Sequence, residues 1–503
     1  MTGALMSRLL ARDRVTTSVG LVLSLLIVQR VISFARGIVF ARVLGTEQYG
    51  VYTLSFFLIP IIVIVAGLGI PSAFGRFIPR YEERGAVRWF LRNTYTLTLL
   101  CGAAAAAVII LVPGLFSSLL YGDPSHTAVI TLAAICVPIM LLFRNVSSTF
   151  LGLRLFRASS LFEFIQMAAF AAVGTAMVFV FRSATSAIFS YAVSFVIGLV
   201  LFAPLLAGYT FRQEPLYRAL DERDFYRRLL RFSVWLTITP ILAQVFHYVD
   251  RLSIQRLMTS SDQGIYSAMV ALAQMISALG LAVNNVIYPH LSAAWEKNRR
   301  EEALQNLDLA MRVTSLALLV IGAAIILLGD VIVRALLGEA YAPGVGVLPY
   351  LVVFYLFTIS VWLLGVYPSL IERTYIATVG LVIALPVNIG LNLALIPRMG
   401  IVGAALATML SYLVMWWVVL GLCRRFGLRI SARTLVLSLA PLFLLLPGLW
   451  AGAAVVLLAV TALATGLIFT AAEKSLARNE ALRFVRSLRR GHGEREGPGP
   501  TKS

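Results

Sequence analysis

Charge is what this chain has least of. Of its 503 residues only 13% are charged and 60% are hydrophobic, and the mean hydropathy is +0.89. Soluble domains carry roughly a quarter charged residues. A soluble fold cannot bury this much apolar surface, so lipid is the expected solvent. Acidic residues are scarcer than basic ones, 23 against 42, for a net charge of +19. The excess does not point to nucleic acid, because the cations form short clusters between long apolar runs. The three cysteines, Cys101, Cys136 and Cys423, lie in or at the end of apolar segments. Their odd number and spacing exclude a disulfide framework or a CxxC site. Four scattered histidines (His126, His247, His290, His492) show no metal-ligand spacing. There is no P-loop, no nucleophile–base pair and no paired carboxylates, so an enzyme is not expected, and neither is a metal or cofactor. Alternating strands of about ten residues are absent too, which argues against a β-barrel.

What is present is a series of apolar runs near the 20 residues that a spanning helix needs. They fall near 16–40, 51–71, 89–112, 127–149, 160–181, 184–208, 232–255, 264–288, 310–328, 346–369, 374–396, 400–422, 432–448 and 450–472. The expected fold is therefore an all-α, multi-pass membrane protein of about fourteen spans. Met1 to Arg14 reads as a basic leader without a cleavable signal, so the first span should stay as an anchor. With both termini inside, 34 of the 42 basic residues fall in inner segments, and only Arg182, Arg334 and Arg398 in outer loops. This matches the positive-inside rule. Residues 212–231 and 474–490 mix arginines with large apolar residues, as helices on an anionic inner leaflet do. After Gly491 the composition is that of a disordered tail.

The chain partly repeats itself. Arg42–Tyr52 aligns without gaps on Arg256–Tyr266, and the same offset of 214 carries Tyr81-Glu82 onto Trp295-Glu296. Six spans separate the copies, and an even number keeps them in one orientation. Two six-span lobes related by an axis along the membrane normal are expected, with the substrate between them. The expected divisions are an N-terminal lobe (1–210), a linker (211–231), a C-terminal lobe (232–430), two added spans (431–473) and a basic tail (474–503).

These lobes, with Phe40–Gly50 ending the first span and Leu395–Thr408 at the eleventh, resemble the polysaccharide (O-antigen type, Wzx-like) flippases. These belong to the multidrug/oligosaccharidyl-lipid/polysaccharide exporter superfamily. The resemblance implies alternating-access movement of a polyprenyl-diphosphate-linked oligosaccharide between leaflets of a prokaryotic cytoplasmic membrane. It also implies a lipid-linked glycan as partner, a polysaccharide polymerase and glycosyltransferases nearby, and a monomeric transporter. Two relatives compete. A cation-coupled multidrug antiporter would have an acidic residue in the first span, where this chain has arginines. A lipid II flippase would show Ser-Arg and Arg-Asp pairs, where this chain has Gln29-Arg30 and Arg36-Gly37. A non-transporting scaffold is the alternative of a different class. Gly45, Gly50, Pro397 and Gly400 suit tight turns, and Gly403-Ala404-Ala405 a close helix contact.

Candidate substrate residues are polar groups at membrane depth. Arg30 and Arg36 lie in the first span, with Gln29 and Ser33 beside them. An intramembrane charge costs at least about 2.5 kcal/mol and normally faces a wet cavity or a partner. Arginine forks suit a diphosphate. The repeat maps Arg36 onto Asp250 and places a second stripe, Gln244, His247 and Arg251, in the seventh span. Asp250 is expected either to pair with Arg36 across the lobes when the outer side is closed, or to bind a coupling H⁺ or Na⁺. Gln274, Asn284 and Asn285 in the eighth span, and Asn388 and Asn392 in the eleventh, are candidates for sugar hydroxyls. The same amides can also join helices.

Overall fold

The structure is a computed structural model that describes residues 15–211, 222–447, 449–470 and 473. In lipid the backbone must satisfy its own polar groups, and here it does so in helices alone, with no strand among the described residues. The first half comprises α1 (Val15–Ala66), α2 (Ile70–Glu83), α3 (Val87–Leu111), α4 (Pro113–Tyr121), α5 (Thr127–Gly152), α6 (Phe156–Phe181) and α7 (Ala184–Phe211). The second half comprises α8 (Glu222–Leu257), α9 (Ser260–Glu296), α10 (Arg300–Leu327), α11 (Gly329–Leu336), a 3₁₀ turn (Glu339–Val347), α12 (Leu348–Leu364), α13 (Val366–Leu370) and α14 (Tyr375–Arg425). It is followed by α15 (Ala432–Leu439), a 3₁₀ turn (Ala440–Leu445) and α16 (Leu449–Ala464). Among the described residues, ten helices are long and apolar enough to cross a membrane, and two shorter apolar stretches, Ala432–Leu445 and Trp450–Ala462, follow.

Two of the ten each contain two expected spans. α1 leaves helical geometry at Gly45 (φ 72°, ψ 174°), and α14 at Gly400 (φ 60°, ψ −141°). Both angles lie where glycine has no steric penalty, so these residues break the helices as their sequence context predicts. Just after the second break, a Cβ on Gly403 would stand 2.5 Å from the Leu395 carbonyl oxygen.

The repeat has a counterpart in space. A Cβ on Gly50 would stand 1.9 Å from the Ser260 carbonyl oxygen, and one on Gly264 equally close to that of Thr46. Gly50 and Gly264 are the repeat-equivalent pair. Gly50 is therefore required by the contact between the halves rather than by a turn of its own. Arg42 donates to the Ala335 carbonyl, and its equivalent Arg256 donates to the Leu119 carbonyl. Ser261 Oγ bonds Thr46 Oγ1 at 2.7 Å, and Tyr341 donates to the Ala41 carbonyl at 2.8 Å. The halves are thus sealed together at the end that the charge asymmetry assigns to the outside.

At the opposite end, the described contacts between the halves are made by α8. The start of α8 lies against the first half. Phe225 packs edge-on to Trp89 at 4.8 Å and Phe232 to Phe77 at 5.7 Å. This corrects the expectation of a surface helix for residues 222–231. Their aromatic side chains find protein partners, and the segment runs on into a spanning helix. Residues 212–221 and the tail from 474 lie outside the described residues, so the amphipathic stretch at 474–490 does too.

α15 and α16 are fastened to α10. Asp308 accepts hydrogen bonds from Ser431 N, Ser431 Oγ and Thr434 Oγ1 at the start of α15. One turn on, buried Arg312 bonds the Ile468 carbonyl and both carboxylate oxygens of Glu473. Glu473, beyond α16, is held down to about 2 from its usual 4.5, chiefly by the hydrogen bond from Arg312.

Candidate functional site: a cleft between the first and eighth spans

Arg30, Ser33, Phe34 and Gly37 follow helical spacing (i, i+3, i+4, i+7) and so share one face of α1. That face forms one wall of a cleft of about 170 Å³. The other wall is α9, which contributes Gln274, Met275 and Ser277, and Tyr49 and Leu337 close the outer end. Arg30 and Gln274 are exposed, as are Val28, Val31, Leu279 and Leu281 along the same two helices. Exposed residues of both helices therefore border the cleft. The cleft brings together Arg30, Ser33 and Gln274, three of the residues expected to bind substrate. An arginine here, with hydroxyls and an amide opposite it, can hold a phosphate oxygen and order polar groups beside it.

Other expected site residues lie elsewhere. Arg36 turns from the cleft into the first half, with its guanidinium 4.0 Å from the centre of the Phe170 ring and 5.9 Å from that of Phe40. At 100° per residue it stands about 120° around the helix from Arg30, so one ligand atom does not reach both. Its Nε is buried without a hydrogen-bond partner. Arg251 is buried at 4% exposure under Phe57, 3.8 Å from the ring centre, and bonds the His247 carbonyl at 2.5 Å. It is closed off from the cleft in this arrangement. His247 packs among Phe246 and Phe354. Gln29, Gln244, Asn284 and Asn285 are not part of the cleft wall. Asn285 is exposed, and Asn284 keeps a buried, unpartnered Oδ1. Seven residues past Ala278, Asn285 is about 10 Å further along α9 toward the inner end.

Asp250 corrects the expected ion pair. It is 4% exposed and makes no salt bridge with Arg36, although the outer end is closed. Its Oδ1 accepts from Asn388 at 3.0 Å and Asn392 at 2.8 Å, and its Oδ2 from Thr408 at 2.5 Å and Tyr266 at 3.3 Å. α8, α9 and both arms of α14 meet at this one carboxylate. The two asparagines thus serve Asp250, not a sugar. The sequence flagged them by their one-turn spacing. Tyr266 and Thr408 carry no sequence signal beyond lying in the repeated and glycine-rich motifs. The Oδ1 of Asn392 is buried without a partner beside this cluster.

Comparison with known proteins agrees with this architecture. Residues 15–295 match the family described as polysaccharide biosynthesis protein. A Shigella flexneri protein named "Putative O-antigen transporter" is 24% identical over 307 residues, covering 60% of this chain and 71% of its own. Among solved structures, the lipid II flippase MurJ in an inward-closed conformation superposes with a TM-score of 0.69 at 16% identity. The match covers 88% of this chain and 98% of that one. An inward-facing multidrug transporter of the MATE family superposes with a TM-score of 0.60, also at 16% identity, over 81% and 95%. At such identities the likeness establishes a fold shared with these two transporters.

Proposed function

Because this chain belongs to the polysaccharide biosynthesis protein family, we propose that it is a flippase for polyprenyl-diphosphate-linked oligosaccharide, working from the inner to the outer leaflet of a prokaryotic cytoplasmic membrane. The observation that carries the reading is Arg30, an exposed arginine deep in α1 that lines a cleft between α1 and α9. The diphosphate binds Arg30, the first sugars lie against Ser33, Gln274 and Ser277, and the polyprenyl tail stays in the bilayer. The two six-span lobes then rock. The outer seal of Arg42, Arg256 and the paired glycines opens as the inner side closes.

Asp250 and its neighbours fit a coupling cation, either H⁺ or Na⁺. Asn388, Asn392 and Thr408 all donate to Asp250 here, so a bound Na⁺ would need the amides turned to present their oxygens, of which Asn392 Oδ1 is without a partner. Bound there, the cation would supply the energetic coupling. Asp250, Asn388, Asn392 and Thr408 would hold it and tie α8 to α14. The multidrug-antiporter reading lacks an acid in the cleft itself, where the described lining residues include one cation and no carboxylate.

A photoreactive residue in place of Gln274 tests the site. It should capture a polyprenyl-diphosphate oligosaccharide probe in wild-type background, and Arg30→Ala should abolish capture. Equal capture with Arg30→Ala in a folded protein would remove the diphosphate from this cleft.

A further inference from the structure

A second arginine lies at membrane depth, and neither the cleft nor the seal uses it. Arg144 is on α5, eight residues before its inner end at Gly152, hence about 12 Å into the span. Its side chain is exposed and has neither a hydrogen-bond partner nor an ion pair among the described residues. A lipid-facing arginine at that depth would be costly. Arg144 instead faces a cavity of about 130 Å³ at the seam between the halves. α1 contributes Val63 and Gly67 to it, α2 contributes Ser72, and α8 contributes Thr237 and Pro240. The cavity is on the side away from the cleft, where α8 lies against the first half.

The approach to this cavity is cationic. Ser72, Arg76 and Arg80 are exposed along one face of α2 at intervals of four residues, running from the cavity toward the inner surface. Arg76 lies 4.4 Å over the Phe232 ring, which leaves its charge without a carboxylate partner. The nearby acid is Glu163 on α6. It accepts from Ser147 Oγ at 2.7 Å and does not ion-pair with Arg144. Guanidinium groups leading to a small cavity that holds one arginine and two hydroxyl side chains, Ser72 and Thr237, have the chemistry of a phosphate site. Its volume of about 130 Å³ suits a phosphate or diphosphate group.

We propose that this cavity is a second phosphate-binding site, separate from the Arg30 cleft, that takes the phosphate or diphosphate headgroup of an inner-leaflet lipid through Arg144 and Ser72. The proposal rests on the lipid-phosphate reading of the function, but it uses different residues on the other seam. Each can therefore fail alone.

The test is the stoichiometry and affinity of a short-chain polyprenyl diphosphate bound to the purified full chain, measured by titration calorimetry. Two sites per wild-type chain are expected. Arg144→Gln should remove one, or weaken it tenfold or more, and leave the other unchanged. Arg30→Ala should do the reverse. Two undisturbed sites in Arg144→Gln, or a single site insensitive to it, overturns the proposal. Loss of a site in Arg144→Gln with none lost in Arg30→Ala upholds the proposal and overturns the cleft reading. If inorganic pyrophosphate binds the Arg144 site as tightly as the lipid, the lipid source is overturned in favour of a soluble anion. Should Arg144→Gln fail to fold, Arg144→Lys carries the test. It keeps the charge but loses the fork, and should weaken the same site severalfold while sparing the other.

Discussion

Replacing Asp250 by leucine should destabilise the protein by about 3 kcal/mol. Four donors meet this carboxylate, from Asn388, Asn392, Thr408 and Tyr266. Thr408 also reaches the Ala404 carbonyl at 2.9 Å, and Asn392 reaches Asn388 Oδ1 at 3.0 Å, so these two keep an acceptor. The loss therefore falls mainly on Asn388 and Tyr266. A buried donor left without an acceptor costs about 1–3 kcal/mol. Side-chain hydrogen bonds measured inside membrane proteins are worth nearer 0.6 kcal/mol. Two orphaned donors at about 1.5 kcal/mol each, between these two figures, give about 3 kcal/mol. Asp250→Asn keeps the shape and one acceptor oxygen, so it should cost about 1 kcal/mol. The assay is thermal unfolding of purified protein in detergent, followed by loss of the monodisperse peak, with exposed Asp330→Asn as control. Asp250→Leu melting with wild type, or Asp250→Asn melting below Asp250→Leu, would refute the network as drawn. In transport, Asp250→Asn should remove dependence on the H⁺ or Na⁺ gradient even where the fold survives.

Three further outcomes follow from the same contacts. Arg42→Ala with Arg256→Ala removes two charge-assisted bonds of the outer seal, each worth roughly 1.5–3 kcal/mol. A cysteine placed at Ser267, buried behind the seal, should then react at least tenfold faster with an impermeant maleimide from outside, and an unchanged rate would show that the seal does not need them. Gly50→Val sets a Cβ 1.9 Å from the Ser260 carbonyl, so it should raise the same labelling and reduce transport, whereas Gly421→Ala has free space and should change neither. Glu473 titrates at about 2 when folded and at 4.5 ordinarily, so its bond to Arg312 stabilises fully above pH 4.5 and is lost as pH falls toward 2. Wild type should lose melting temperature across that window more steeply than Glu473→Gln, and parallel slopes would contradict the clamp on α15 and α16.

The membrane class, the spans and the repeat were legible because lipid imposes composition and period over long stretches. Gly45 and Gly400 were legible because only a few residues accept their backbone angles. The site was legible in part. Arg30, Ser33 and Gln274 converge because each lies on the polar stripe of its own helix. Arg36 shares the composition argument, but the rotation between it and Arg30 sends it to Phe170, and only packing reveals that ring. Asp250 looked like a partner for Arg36 because the repeat equates their positions. Pseudo-equivalence places two residues at matching points of two lobes, not opposite each other, so it predicts shared surroundings rather than contact. Arg144 lay inside the apolar run at 127–149 but belonged to no motif or repeat. The helix runs eight residues further, to Gly152, and leaves Arg144 inside.

The central claim is lipid movement, and the most direct measurement is translocation of a fluorescent polyprenyl-diphosphate oligosaccharide in liposomes that contain only this protein. The account predicts that the wild type exposes the probe to an external quencher, and that folded Arg30→Ala does not. No translocation of any lipid-linked glycan, with a hydrophobic cation moving instead, would contradict it and make the protein a drug exporter.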